Sequence, residues 1–244
     1  MDVTASRIHE AMQAVAQLRR HRVAHPLLEQ ASVEVKRFQA QRFRATYADL
    51  LHTPRYQLAT RFFLQELYGD GDYAQRDQQF ARIASTIARL FPQAVVETAA
   101  SLAEVHALTE QLDDLMAAQW LLTPALSLHA RYITCWRNVA ERPARNRQLQ
   151  VVLQLGRELD RLTRMRGLRS LLKMMRAPAS AAGLSSLQGF LEAGFDAFAD
   201  MKGAQEFLAL IESRESAWIA TLFDDDAVTC ETKLHQLLAS TPAH

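Results

Sequence analysis

The chain has 244 residues, 49% of them hydrophobic and 23% charged, with a formal net charge of +1. That balance is globular, argues against disorder, and removes any global attraction to nucleic acid or an anionic membrane surface. The longest uncharged stretches, such as Trp120 to Ala130, fall short of the roughly 20 apolar residues a membrane-spanning helix needs. The start Met1-Asp2-Val3-Thr4 lacks the basic residues and apolar run of a signal peptide. A soluble, cytoplasmic protein is expected, with Cys135 and Cys230 reduced and buried.

Only 8 glycines and 7 prolines occur, while Ala, Leu, Gln, Glu and Arg dominate, and no period-2 run of β-branched residues appears. The expected fold is all-α, a multi-helix bundle of about ten helices. Pro favours the first helical turn and Gly the position past the last, so Pro26, Pro54, Pro92, Pro124 and Pro143 read as helix starts. Gly69, Gly167 and Gly183 read as stops.

In chain order, a first helix spans about Thr4 to Ala24 with Ile8, Met12, Val15 and Leu18 on one face, and a second carries Leu28, Ala31, Val35 and Phe38. A third runs from about Pro54 to Tyr68. After the turn Gly69-Asp70-Gly71-Asp72, a fourth with Phe80, Ile83, Ile87 and Leu90 completes a helical hairpin. A long helix from about Ala94 to Leu121 follows, then one from Pro124, a basic one from Pro143 and a short one near Leu168 to Met175. The small-residue segment Ala177 to Gly183 reads as a loop. It is a weak subdomain boundary in what otherwise reads as one all-α domain over residues 1–244, or two closely packed helical halves. Aromatic stripes at Phe190 to Phe198 and Phe207 to Trp218 precede a last helix from Asp226 to Ala239.

Charge is polarised along the chain: eleven Arg or Lys lie between Arg137 and Arg176, and ten acids between Glu192 and Glu231. The pattern favours helices that neutralise one another across the bundle surface. A basic face at Arg157, Arg161, Arg164 and Arg169 would suit a polyanion, but no nucleic-acid-binding motif accompanies it.

Catalytic and metal patterns are wanting. His21 and His25 share a helix face, yet the neighbouring Arg19, Arg20 and Arg22 repel a cation. Glu104 with His106, and Glu231 with His235, lack the Glu-x-x-His spacing of a di-iron site. Asp70, Asp72 and Asp77 depart from the calcium-loop pattern, and Asp224 to Asp226 suit a helix start. No nucleophile elbow or phosphate-binding loop occurs. A haem iron needs only one axial His in an apolar pocket, which leaves His106 and His129 as candidates.

The distinctive segment is Arg61-Phe62-Phe63-Leu64-Gln65-Glu66-Leu67-Tyr68, with Tyr73, Arg76 and Asp77 beyond it. Here the chain resembles a family of uncharacterised bacterial proteins named for a Phe-Phe-Leu-Glu-Glu-Leu-Tyr motif, with Gln65 in place of the first Glu. The resemblance implies no activity. Arg61, Glu66, Asp72, Arg76 and Asp77 read first as an ion-pair network locking the hairpin. As a functional site, the same residues form a polar pocket or docking surface ringed by Phe62, Phe63, Tyr68 and Tyr73.

These patterns lean away from an enzyme and put a helical interaction or regulatory protein first, with a protein partner, no membrane and no metal. No cofactor is expected. The other reading is a helical pocket for haem or a small apolar molecule, as in a sensor. A closed apolar cavity beside the Phe62 to Tyr73 hairpin would favour the pocket; a filled interior would favour the surface.

Overall fold

The computed structural model describes residues 3–67, 73–123 and 126–240, and every regular element among them is helical. The first half comprises α1 (Val3–Val23), α2 (Pro26–Thr46), the short α3 (Ala48–Leu51), α4 (Gln57–Phe62), a π-helical turn (Phe63–Leu67), α5 (Ala74–Leu90) and α6 (Gln93–Leu122). The second comprises α7 (Leu128–Val139), α8 (Arg142–Thr163), α9 (Leu168–Met174), α10 (Arg176–Ala181), α11 (Ser185–Met201), α12 (Gln205–Asp224) and α13 (Ala227–Ala239). None of the described helices is long and apolar enough to cross a membrane.

Most boundaries follow the proline and glycine punctuation. Pro26 opens α2, Pro92 caps α6 and Pro143 sits in the first turn of α8, while Gly167 (φ +83°) and Gly183 (φ +67°) take left-handed turns. Asp226 caps α13, its carboxylate accepting from the Thr229 amide at 3.0 Å.

Three expectations shift. The helix expected from Pro54 begins at Gln57, because Thr53 to Tyr56 close a turn in which the Tyr56 amide donates to the Thr53 carbonyl at 2.9 Å. The helix expected from Pro124 begins at Leu128, where the Ser127 hydroxyl accepts from the Ala130 amide; Pro124 itself, like Gly69, lies outside the described residues. The loop expected at Ala177 to Gly183 is mostly helix, α10. Its alanines favour helix, and Pro178 is tolerated in the first turn, where its missing N–H costs nothing. Arg82 of α5 donates to the Ala182 and Gly183 carbonyls at 2.8 and 3.1 Å, tying this segment to α5, which packs on α1 and α11 rather than pairing closely with α4 as the expected hairpin would.

α6 is the central helix, packed against α1, α2, α7 and α8, while α11 lies over α4, α5 and α8. α1 runs alongside α6 in the same direction: Arg7 reaches Glu97 and Glu104, each at 2.8 Å, and Arg22 reaches Glu110 at 2.6 Å. Ala100 and Ala103 of α6 are fully buried, and side chains this small let the neighbouring helices approach closely. Around the second half of α6, Trp120, Tyr132 and Phe38 are fully buried, the last two with ring centroids 4.4 Å apart. Each such ring contributes on the order of 2–3 kcal/mol by leaving water.

Several charged groups enter the interior paired, whereas Asp113, 3% exposed, has no salt bridge among the described residues, and burial pushes its carboxyl up. Arg42 donates to Glu215 at 2.8 Å, with the Tyr47 hydroxyl on the other carboxylate oxygen, and Arg22 and Lys36 both hold Glu110. On the surface the basic segment meets the acidic one: Arg142 pairs with Asp224, Arg169 with Asp196, Arg176 with Glu192 and Arg157 with Glu212. Arg161 and Arg164 pair within their own helix, with Glu158 and Asp160. Cys135 and Cys230 are free and buried.

Candidate functional site

The last turn of α4 passes directly into the π-helical turn at Phe63–Leu67, a winding that is uncommon and recurs at functional sites. Phe62, Phe63 and Leu64 all turn inward there, while Gln65 faces out. The Phe62 ring packs on Phe190 of α11 at 5.4 Å, and Phe63 packs on Phe198 and Phe207 at 6.2 and 5.7 Å. The close approach of α11 depends on Gly194, since a Cβ at that position would stand 2.9 Å from Cζ of Phe62.

Beneath this segment lies a part-open cavity of about 160 Å³ lined by residues of α1, α4, α5, α6, α8, α9, α11 and the π-helical turn. Its wall is almost wholly apolar and includes Met12, Phe62, Phe80, Leu102, Leu155 and Phe190. Glu66, Arg76, Asp77 and His106 form a polar rim.

The rim is tightly cross-connected. Arg76 donates through Nη1 to the Glu66 carbonyl at 2.9 Å and to the Glu66 carboxylate at 3.3 Å. Two aromatic rings pack against its guanidinium, Tyr73 at 4.3 Å and Phe190 at 4.6 Å from the ring centroids. The Tyr73 hydroxyl in turn donates to the Gln65 carbonyl. Asp77 is buried, and its Oδ2 accepts from Arg19 at 2.6 Å and meets His106 Nε2 at 2.8 Å. Burial, the largest single influence on Asp77, works against its charge, but His106, Arg19 and Arg76 together outweigh it and hold the carboxyl below its usual range. An ionised Asp77 only accepts, so His106 Nε2 carries the proton in this contact.

Of the hairpin residues picked from the sequence, Phe62, Phe63, Glu66, Arg76 and Asp77 meet at the cavity, and Tyr73 stacks over its rim. Arg61 is exposed on α4 and no described acid pairs with it. Tyr68 and Asp72 lie outside the described residues. His106 lines the cavity with Nε2 committed to Asp77, whereas His129 is elsewhere, against Phe38 at 5.9 Å and His235 at 5.7 Å. Burial and the neighbouring His235 push the His129 imidazole below its ordinary range. His21 and His25 stack with ring centroids 4.5 Å apart. Arg19, Gly194 and Leu155 were not picked out. Arg19 is 58 positions from its partner Asp77, and nothing local to α1 signals that contact.

A family model for a domain of unknown function, DUF8198, matches residues 17–229, and the chain belongs to that family. The matched span contains the hairpin and all of α6, α8 and α11. No curated protein and no solved structure matches the chain.

Proposed function

We propose that this member of the DUF8198 family is a binding protein whose ligand is a small apolar molecule held in the cavity beside the Phe62 to Tyr73 hairpin. The observation that carries the reading is the pocket itself, about 160 Å³ with an almost wholly apolar wall; a larger hollow of about 660 Å³ between α1, α6 and α8 is more open and more polar. Engineered cavities of about 150 Å³ with similar aliphatic and aromatic walls take up benzene, so the occupant is the size of one aromatic ring or a short alkyl chain.

On sequence alone an interaction surface came before a pocket; the cavity reverses that order. Between the two pocket ligands considered, its volume favours a small molecule over a haem macrocycle, and His106 Nε2 is already engaged by Asp77.

Toluene or indole titrated into the purified chain tests this. The melting temperature is expected to rise by about 3–5 °C at ten times Kd, and Ala103→Leu, which extends a side chain into the void, is expected to abolish the rise. A melting temperature indifferent to both probes at saturation refutes the reading.

A further inference from the structure

We infer that a second site lies between α2, α7, α8 and α12, where a part-open chamber of about 50 Å³ takes a small planar oxyanion, bicarbonate or the carboxylate of a short organic acid. It shares only Thr109 with the cavity beside the hairpin, so it stands whether or not that cavity holds a ligand.

Buried donors without a partner carry the inference. Nε of Arg42 and Nε1 of Trp136 are both buried and, among the described residues, neither donates a hydrogen bond. Both side chains line the chamber, and the two residues are 3% and 6% exposed. A third buried donor on this wall, Nε2 of Gln39, makes no hydrogen bond of normal geometry, although it lies close enough to Asp113 to favour the charged form of that carboxyl. Buried N–H groups are ordinarily paired, and neither a guanidinium Nε–H nor an indole N–H can turn round to become an acceptor.

The acceptors on the wall are already engaged. Glu215 takes the two terminal nitrogens of Arg42 at 3.3 and 2.8 Å and the Tyr47 hydroxyl at 2.8 Å. Thr109 accepts from the Gln148 amide at 2.7 Å and donates to the Val105 carbonyl at 2.8 Å. What the chamber lacks is an acceptor. Its charged side chains are two guanidiniums, Arg42 and Arg145, against one carboxylate, Glu215, a balance that favours an anion over a neutral carbonyl. Asp113 is not on the chamber wall, and burial pushes its carboxyl up, away from the charged form that would repel an anion. At roughly 10–15 Å³ for each water-sized group, about 50 Å³ holds about four heavy atoms, the size of bicarbonate, nitrate or acetate.

The chain has three tryptophans, so the Trp136 indole N–H is assigned in a nitrogen-15 NMR spectrum of the full chain by its loss in Trp136→Phe. Sodium bicarbonate, nitrate, acetate and propionate are titrated in turn at constant ionic strength, with chloride as the balance. A saturable shift of the Trp136 N–H is expected. Trp136→Phe and Gln39→Leu each remove one donor and should weaken binding, measured by calorimetry, about tenfold, as the loss of a hydrogen bond to a charged group implies. Bicarbonate or nitrate binding tightest identifies a free inorganic anion, and acetate or propionate an organic acid; either result upholds the site. No saturable shift from any of the four probes overturns the inference and leaves water as the partner of these donors. Unchanged affinity in both variants also overturns it, since the anion would then sit elsewhere.

Discussion

The two halves of α6 border opposite kinds of interior. Leu102, Ala103, His106 and Thr109 face the apolar cavity of about 160 Å³. Beyond them, Glu110 is 3% exposed and Trp120 1%, in a region of ion pairs and rings, where Asp113, also 3% exposed, stands without a salt bridge among the described residues. There Arg22 and Lys36 hold Glu110, Arg42 holds Glu215, and Arg145 stacks 4.1 Å from the Trp136 ring centroid. The void between Gln39, Arg42, Trp136 and Arg145 is about 50 Å³. The cavity half has space and charges at its rim; the other has little space and charges at its centre. Stability in the second region therefore depends on keeping charges paired, and in the first on what fills the space.

The largest effect is expected where pairing is removed from the filled region. Glu215→Gln leaves the Arg42 guanidinium, 3% exposed, without its carboxylate, and deprives the Tyr47 hydroxyl of a charged acceptor. Breaking one partner of a buried pair costs about 3–5 kcal/mol. Urea unfolding should show that loss, and a loss under about 1 kcal/mol would mean that the region tolerates an unpaired charge.

Acid should act on the same region next. Burial alone would push the Glu110 carboxyl up, but Lys36 and Arg22 more than offset it and hold it at about 2, against an ordinary value of 4.5. A depressed pKa in the folded state contributes stability above the unfolded value, and that stability drains as pH falls from 4.5 through about 2. The shift corresponds to about 3 kcal/mol. Stability measured against pH should decline in that window, and Glu110→Gln should flatten the decline while lowering stability at pH 7.

Much of this arrangement was readable and part was not, for a physical reason. Pro26, Pro143, Gly167 and Gly183 marked boundaries because their backbone constraints act within a few residues. The crowding of Phe62 and Phe63 beside Arg76 and Asp77 pointed to the right neighbourhood, since too many bulky groups for a surface helix must be buried somewhere. The π-helical turn, the contact of Arg19 with Asp77 and the cavity itself were not readable. Periodicity says which face of a helix turns inward; it does not say whether several inward faces meet or leave a gap. Gly194 and Ala103 look like ordinary small helical residues until the opposing Phe62 ring and the void are placed beside them.

Two alanine-to-valine substitutions on α6 compare the regions directly. Ala103 and Ala117 are both fully buried, the first on the cavity wall and the second in the filled half near Trp120. Ala117→Val should cost about 1–3 kcal/mol by overpacking. Ala103→Val has space to enter, and its cost should stay below about 1 kcal/mol. Equal costs would mean that the cavity wall is as unyielding as the packed half.

The smallest change in stability, and the most informative for the cavity, is expected from Gly194→Ala. Alanine in mid-helix gains up to about 1 kcal/mol over glycine, but the new methyl would lie 2.9 Å from Cζ of Phe62 and must displace that ring. Phe62 and Gly194 both line the void, so the ring has space beside it to yield into, and the two terms should nearly cancel. The ring yields into the ligand's space, so urea unfolding should be little altered while toluene binding falls at least tenfold. Unaltered stability with unaltered toluene binding would separate Phe62 from the ligand site, and a loss of several kcal/mol would show that this wall is packed as rigidly as the surroundings of Arg42.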